Sequence, residues 1–62
     1  MRATSLWNDS FTIEYADKGK VIEKITFKGS LRGAMRHVLH KYDYGCADFY
    51  TSDGKWLKEI MW

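Results

Sequence analysis

One cysteine, Cys46, is all the thiol chemistry the chain contains, so no intrachain disulfide can form. Small secreted domains commonly rely on such bridges, and a lone cysteine points instead to a reducing compartment, the cytoplasm. Long apolar runs are missing. None approaches the roughly 18 consecutive residues of a membrane span, so no membrane partner is expected. The opening MRATSLWNDS lacks the apolar core of a secretory signal. Repeats, low-complexity tracts and linker-like segments are absent as well. The chain reads as one complete, small soluble domain spanning residues 1–62. A phosphate-cradling loop is also missing, because KGSLRG has neither the Walker spacing nor its Gly-Lys-Ser/Thr.

What the chain does have is aromatic bulk. A domain this small buries only about 60% of its unfolded surface and is marginal by default. Three Trp, four Tyr and three Phe offset this by supplying much apolar area per residue. Charge is unevenly spread. Lys18, Lys20, Lys24, Lys28, Arg32, Arg36 and Lys41 face only Glu23 between residues 18 and 41, seven cations against one anion, or +6. The rest holds Arg2, Lys55 and Lys58 against Asp9, Glu14, Asp17, Asp43, Asp48, Asp53 and Glu59, three against seven, or −4. Such asymmetry marks an electrostatic docking face unless folding interleaves the two sets.

The segment FTIEY alternates, with Phe11, Ile13 and Tyr15 on one side, and predicts a half-buried strand. Asp17 and Gly19 make ADKGK a turn. A second strand follows in VIEKITFKG, with Val21, Ile25 and Phe27 on one face; Ile22 and Glu23 break its pattern and suggest a bulge. Ser30 suits a helix N-cap. Leu31, Ala34, Met35, Val38, Leu39 and Tyr42 recur at helical spacing, the strongest periodic signal in the chain. Gly33 weakens that helix or permits a close approach, and Gly45 is placed to end it as a left-handed cap. CADFYT predicts a third strand with Ala47 and Phe49 inward and Tyr50 outward. Asp53-Gly54 predicts a tight hairpin turn. In the fourth strand, WLKEIMW, strict alternation puts Trp56, Lys58, Ile60 and Trp62 on one face and Leu57, Glu59 and Met61 on the other. Two apolar faces suit an interior strand, or one whose second face meets a partner.

The expected fold is α+β: one ββαββ domain, a four-stranded, mainly antiparallel or β-grasp sheet, and one amphipathic helix on one face. This order resembles the β-grasp layout of the immunoglobulin-binding domains of streptococcal protein G. It is also similar to the compact sheet-plus-helix build of small bacteriophage proteins that inhibit a host enzyme. Both resemblances lie in element order over most of the chain, and neither carries functional residues across. The second implies an inhibitor or modulator acting in the host cytoplasm.

His37 and His40 sit on neighbouring helical turns but lack the further ligands a zinc site requires, so water-facing imidazoles are the simpler reading. Cys46 with His37 or His40 is the sole nucleophile–base pair, against the ordinary fate of a lone cysteine as a small apolar residue. No catalytic group, metal or cofactor is expected. Arg32, Arg36 and His40 form a helical stripe with Lys41 beside it, a surface for an acidic protein or for phosphates, with Lys24 and Lys28 joining if the second strand's outer face is near. GCADFYT resembles the aromatic strand of an RNA-recognition motif but lacks its Lys/Arg-Gly-aromatic spacing. Trp56, Trp62 and Tyr50, with Trp7 and Tyr44, exceed the obvious needs of a thin core, and such rings anchor interfaces. The reading is a non-enzymatic module that binds another protein through the helix face (Arg32, Arg36, His40, Lys41) and the aromatic sheet face (Tyr50, Trp56), as a monomer or a homodimer. The alternative is a nucleic-acid binder using the basic helix.

Overall fold

In the computed structural model, residues 9–62 are described; Arg2 and Trp7 lie outside them. The order is β1 (Asp9–Asp17), β2 (Lys20–Gly29), α1 (Leu31–Lys41), β3 (Cys46–Thr51) and β4 (Trp56–Met61). The sheet runs β2-β1-β3-β4, with every neighbouring pair antiparallel. Of the two sheets the sequence allows, the antiparallel one forms. β4 lies at an edge, not in the interior, because β3 takes the place beside β1.

β1 and β2 meet through Lys18-Gly19, both at positive φ (55° and 76°), the backbone a two-residue hairpin turn requires. The anticipated bulge is present: Tyr15 pairs with Glu23 but Ala16 with Val21, leaving Ile22 unmatched. That extra residue turns Val21 away from Ile25 and Phe27, so it is exposed instead of inward. A second bulge does the same in β4. Phe49 pairs with Lys58 and Tyr50 with Trp56, so Leu57 is extra. Leu57 packs towards the core with Ile60, whereas Trp56 shares the outer face with Tyr50. Strict alternation in β4 is therefore broken where it mattered for the aromatic reading.

The helix begins as the sequence predicts: the Ser30 hydroxyl accepts from the Gly33 N–H at 3.0 Å. It ends differently. Lys41 is its last residue and Tyr42 is an extended cap. Gly45 lies beyond that cap, pairs with Trp62 through two backbone hydrogen bonds, and has φ 138°. A β-carbon there would stand 2.5 Å from the Tyr15 hydroxyl, so glycine is required for a close approach and not for helix capping. In the β3–β4 turn only Gly54 has positive φ; Asp53 instead accepts a bond from the Thr51 hydroxyl.

Phe11, Ile13, Tyr15, Ala34, Val38, Ala47 and Phe49 form the buried core between α1 and one sheet face. Fully burying such an aliphatic or phenyl side chain contributes about 1.5–3 kcal/mol. An aromatic clamp closes one end. Tyr15 stacks on Tyr42 with ring centres 3.5 Å apart, its hydroxyl donates to the Tyr44 carbonyl, and the Trp62 indole donates to the Tyr42 carbonyl at 3.0 Å. This clamp uses Trp62, Tyr42 and Tyr15 as structure and removes Trp62 from the candidates for docking.

Candidate functional site

The helix makes its close backbone approaches to β1 and β2. It is thus set towards one side of the sheet, and a cleft of about 580 Å³ remains between α1 and the β4 edge. Arg32, Arg36 and His40 line it from the helix, together with Met35 and Leu39; Ile60 lines it from β4, and Met61, whose row partner Cys46 lies on the face away from the helix, borders it at the strand edge. The periodicity that builds the core also builds this cleft. Leu31, Ala34 and Val38 point into the centre, while Leu39 lies at the margin of the apolar stripe, 44% exposed, next to the cationic one.

Among the described residues the cationic wall has no ion-pair partner. Among the described residues the ion pairs are Lys24 with Glu14 and Lys41 with Glu23, and neither touches Arg32 or Arg36. An arginine that faces an apolar floor and meets no carboxylate is available to an external anion, and its planar fork suits a carboxylate.

The six residues singled out from the sequence fall into three places. Arg32, Arg36 and His40 share the cleft. Lys41 lies towards β2, where its amine meets Glu23 at 3.0 Å and sits 5.6 Å from the Tyr42 ring centre. Tyr50 and Trp56 are on the sheet face away from the helix, since their β1 row partner Thr12 alternates with the buried Phe11 and Ile13. Lys24 and Lys28 occupy that far face too, so they do not extend the helical stripe. The +6 segment is divided between two sides of the molecule. Met35, Leu39, Ile60 and Met61 were not among the sequence candidates. Two apolar faces on β4 were the available signal, and the edge position explains them.

The far face carries ordered rows. Thr26, Thr12, Tyr50 and Trp56 cross the four strands in one; Lys24, Glu14, Asp48 and Glu59 in the next; Val21, Ala16, Cys46 and Met61 in the third. The Trp56 indole donates to Asp48 at 3.1 Å. Burial, the charges of Glu14 and Asp48, and a hydrogen bond to Glu14 raise the Tyr50 hydroxyl above its ordinary range.

This placement separates Cys46 from the histidines. Cys46 is on the far face, and its thiol donates weakly to the Ala16 carbonyl at 3.7 Å. Burial, then Glu59, Asp48 and Asp17, push the thiol up, opposite to the shift that activates a nucleophile. His37 lies against Phe27, ring centres 5.5 Å apart, while His40 lines the cleft. The described residues contain no cluster of three or more metal-ligating side chains. They contain no helix long and apolar enough to cross a membrane. No family model, curated protein or solved structure matches the chain.

Proposed function

We propose that this protein is a small non-enzymatic binding module that acts by occupying another protein, as a phage-type or bacterial inhibitor or modulator working in the cytoplasm. The observation that carries this reading is the α1–β4 cleft, where an Arg32–Arg36–His40 wall with no ion-pair partner among the described residues stands over an apolar floor. Interfaces combine an apolar centre with arginine in this way. The likeness in element order to small phage inhibitors supports blocking as the mode of action, and the single free cysteine supports a reducing compartment. A nucleic-acid ligand would call on the same stripe. It gains less support, because Lys41 is paired with Glu23 and Lys24 and Lys28 lie on the other side of the sheet.

The test is capture from a bacterial lysate by tagged protein, with and without nuclease, using the native chain, Arg32→Glu/Arg36→Glu and Trp56→Ala. A stoichiometric protein that survives nuclease and is lost with the double arginine variant is the expected result. Captured nucleic acid, released by nuclease and by salt, would replace this reading with the alternative. Loss with Trp56→Ala alone would move the contact to the far face.

A further inference from the structure

We infer that the cleft receives an extended segment of the partner, which adds as a fifth strand to the free edge of β4 and carries carboxylate and apolar side chains on its cleft-facing side. The inference rests on the proposed protein-binding role and names the chemistry of the partner.

The backbone supplies the first reason. Trp62 exchanges both of its backbone hydrogen bonds with Gly45. In an antiparallel ladder, paired and unpaired residues alternate. The register then directs the N–H and C=O of Met61 and Glu59 away from β3, towards the outside of the sheet. These groups border the cleft at Met61 and Ile60.

A second reason is the contrast between the two free edges. Exposed edges are blunted by lysines and bulges. β2 carries Lys20, Lys24 and Lys28 and a bulge at Ile22. In β4 the bulge at Leu57 and Lys58 guard the first half, whereas Glu59–Met61 has no lysine and no bulge, carries the single charge of Glu59 and ends in Met61, 76% exposed. The less guarded half is the half beside the cleft.

Charge and spacing provide the third. Arg32, Arg36 and His40 recur every four residues, about 6 Å along a helix. Same-face residues of a strand recur about every 6.7 Å. The two spacings are close enough for carboxylates on one face of a strand to meet the cationic wall, while Met35, Leu39 and Ile60 accept its apolar side chains. Main-chain pairing would supply affinity and the cleft specificity, as in other strand-addition complexes.

The experiment is selection from a displayed library of random short peptides on the intact protein, followed by binding of the enriched peptides as synthetic chains. Enriched sequences should alternate, with Asp or Glu and apolar residues at same-face positions. Binding should fall at least about tenfold with Arg36→Glu. It should fall similarly when alternate peptide amides are N-methylated, which removes main-chain pairing and leaves the side chains. The Glu59 and Met61 amide protons should gain protection from exchange in the complex. Glu59→Pro, which removes an outward N–H and no ladder bond, should also abolish binding; N-methylation keeps the test decisive if that variant is unfolded. Acidic peptides that bind regardless of N-methylation would overturn strand addition and leave the cleft as a protein site. Failure to enrich acidic peptides, alongside arginine-dependent capture of a protein from lysate, would overturn this inference alone. Failure of both would remove the functional reading as well.

Discussion

Replacing Gly45 with alanine should be far more damaging than the same change at Gly54, and the difference isolates one contact. Both glycines have positive φ, 138° and 91°, so alanine at either is strained, at about 1–3 kcal/mol. At Gly54 the new methyl group meets nothing within 4 Å. At Gly45 it would lie 2.5, 2.6 and 2.8 Å from three atoms of the Tyr15 ring and hydroxyl. Tyr15 has little room to yield: it is 4% exposed and stacked on Tyr42. Overpacking of this kind adds about 1–3 kcal/mol. A 62-residue chain unfolds with an entropy of about 0.13 kcal/mol per kelvin, so each kcal/mol moves the midpoint by about 8 °C. Gly45→Ala should thus melt about 8–24 °C below Gly54→Ala in a far-ultraviolet circular dichroism scan, with the same ordering in urea. Equal midpoints would refute the claim that Tyr15 is held against the Gly45 backbone.

Trp62→Phe keeps an aromatic ring and removes the indole bond to Tyr42; a loss of about 1 kcal/mol in urea unfolding is expected. Ile13→Ala opens a cavity at a fully buried site and should cost about 2–5 kcal/mol by the same measurement. Lys41→Ala should change stability by about 1 kcal/mol or less, because its ion pair with Glu23 is solvent-accessible, and the effect should fade with added salt. Burial, followed by the nearby charge of Asp17, raises the Tyr15 hydroxyl above the ordinary tyrosine range. The unfolded chain then loses this proton first as pH rises. The stabilisation is complete below the unfolded pKa of about 10 and is lost as pH climbs through the folded value. Tyrosinate absorbance against pH, in the native chain and in Tyr15→Phe, checks the order.

Local chemistry made the elements legible. The Ser30 cap, the helical stripe, the Lys18-Gly19 hairpin and the bulge near Ile22 all follow from side-chain period and turn residues. The bulge at Leu57 was not legible, because nothing in WLKEIMW distinguishes an extra residue from an alternating one; the register with β3 decides it. That shift put Trp56 on the far face beside Tyr50, apart from the basic helix. Half of the candidate site was visible, since Arg32, Arg36 and His40 share a face by helical geometry alone. Its other half, Ile60 and Met61, depends on which strand lies at the edge, a matter of pairing across the whole chain. Gly45 departs from its expected role for a similar reason: a glycine after a helix is commonly its cap, and only the packing of Tyr15 shows why this one is needed.

The strand order also sets how the chain must assemble itself in time. β1–β2 and β3–β4 are each joined by a short turn, so each hairpin needs only local contacts. The seam between β1 and β3 is different, joining Ala16 to Cys46 at one end and Phe11 to Thr51 at the other. It forms only when the intervening chain, helix included, has closed on itself, and such non-local pairing is the slow part of folding. Truncations at Ile13 or Phe49, on the two sides of that seam, should therefore retard folding, and so should a strained turn at Gly54, which loosens a hairpin already formed when the seam closes.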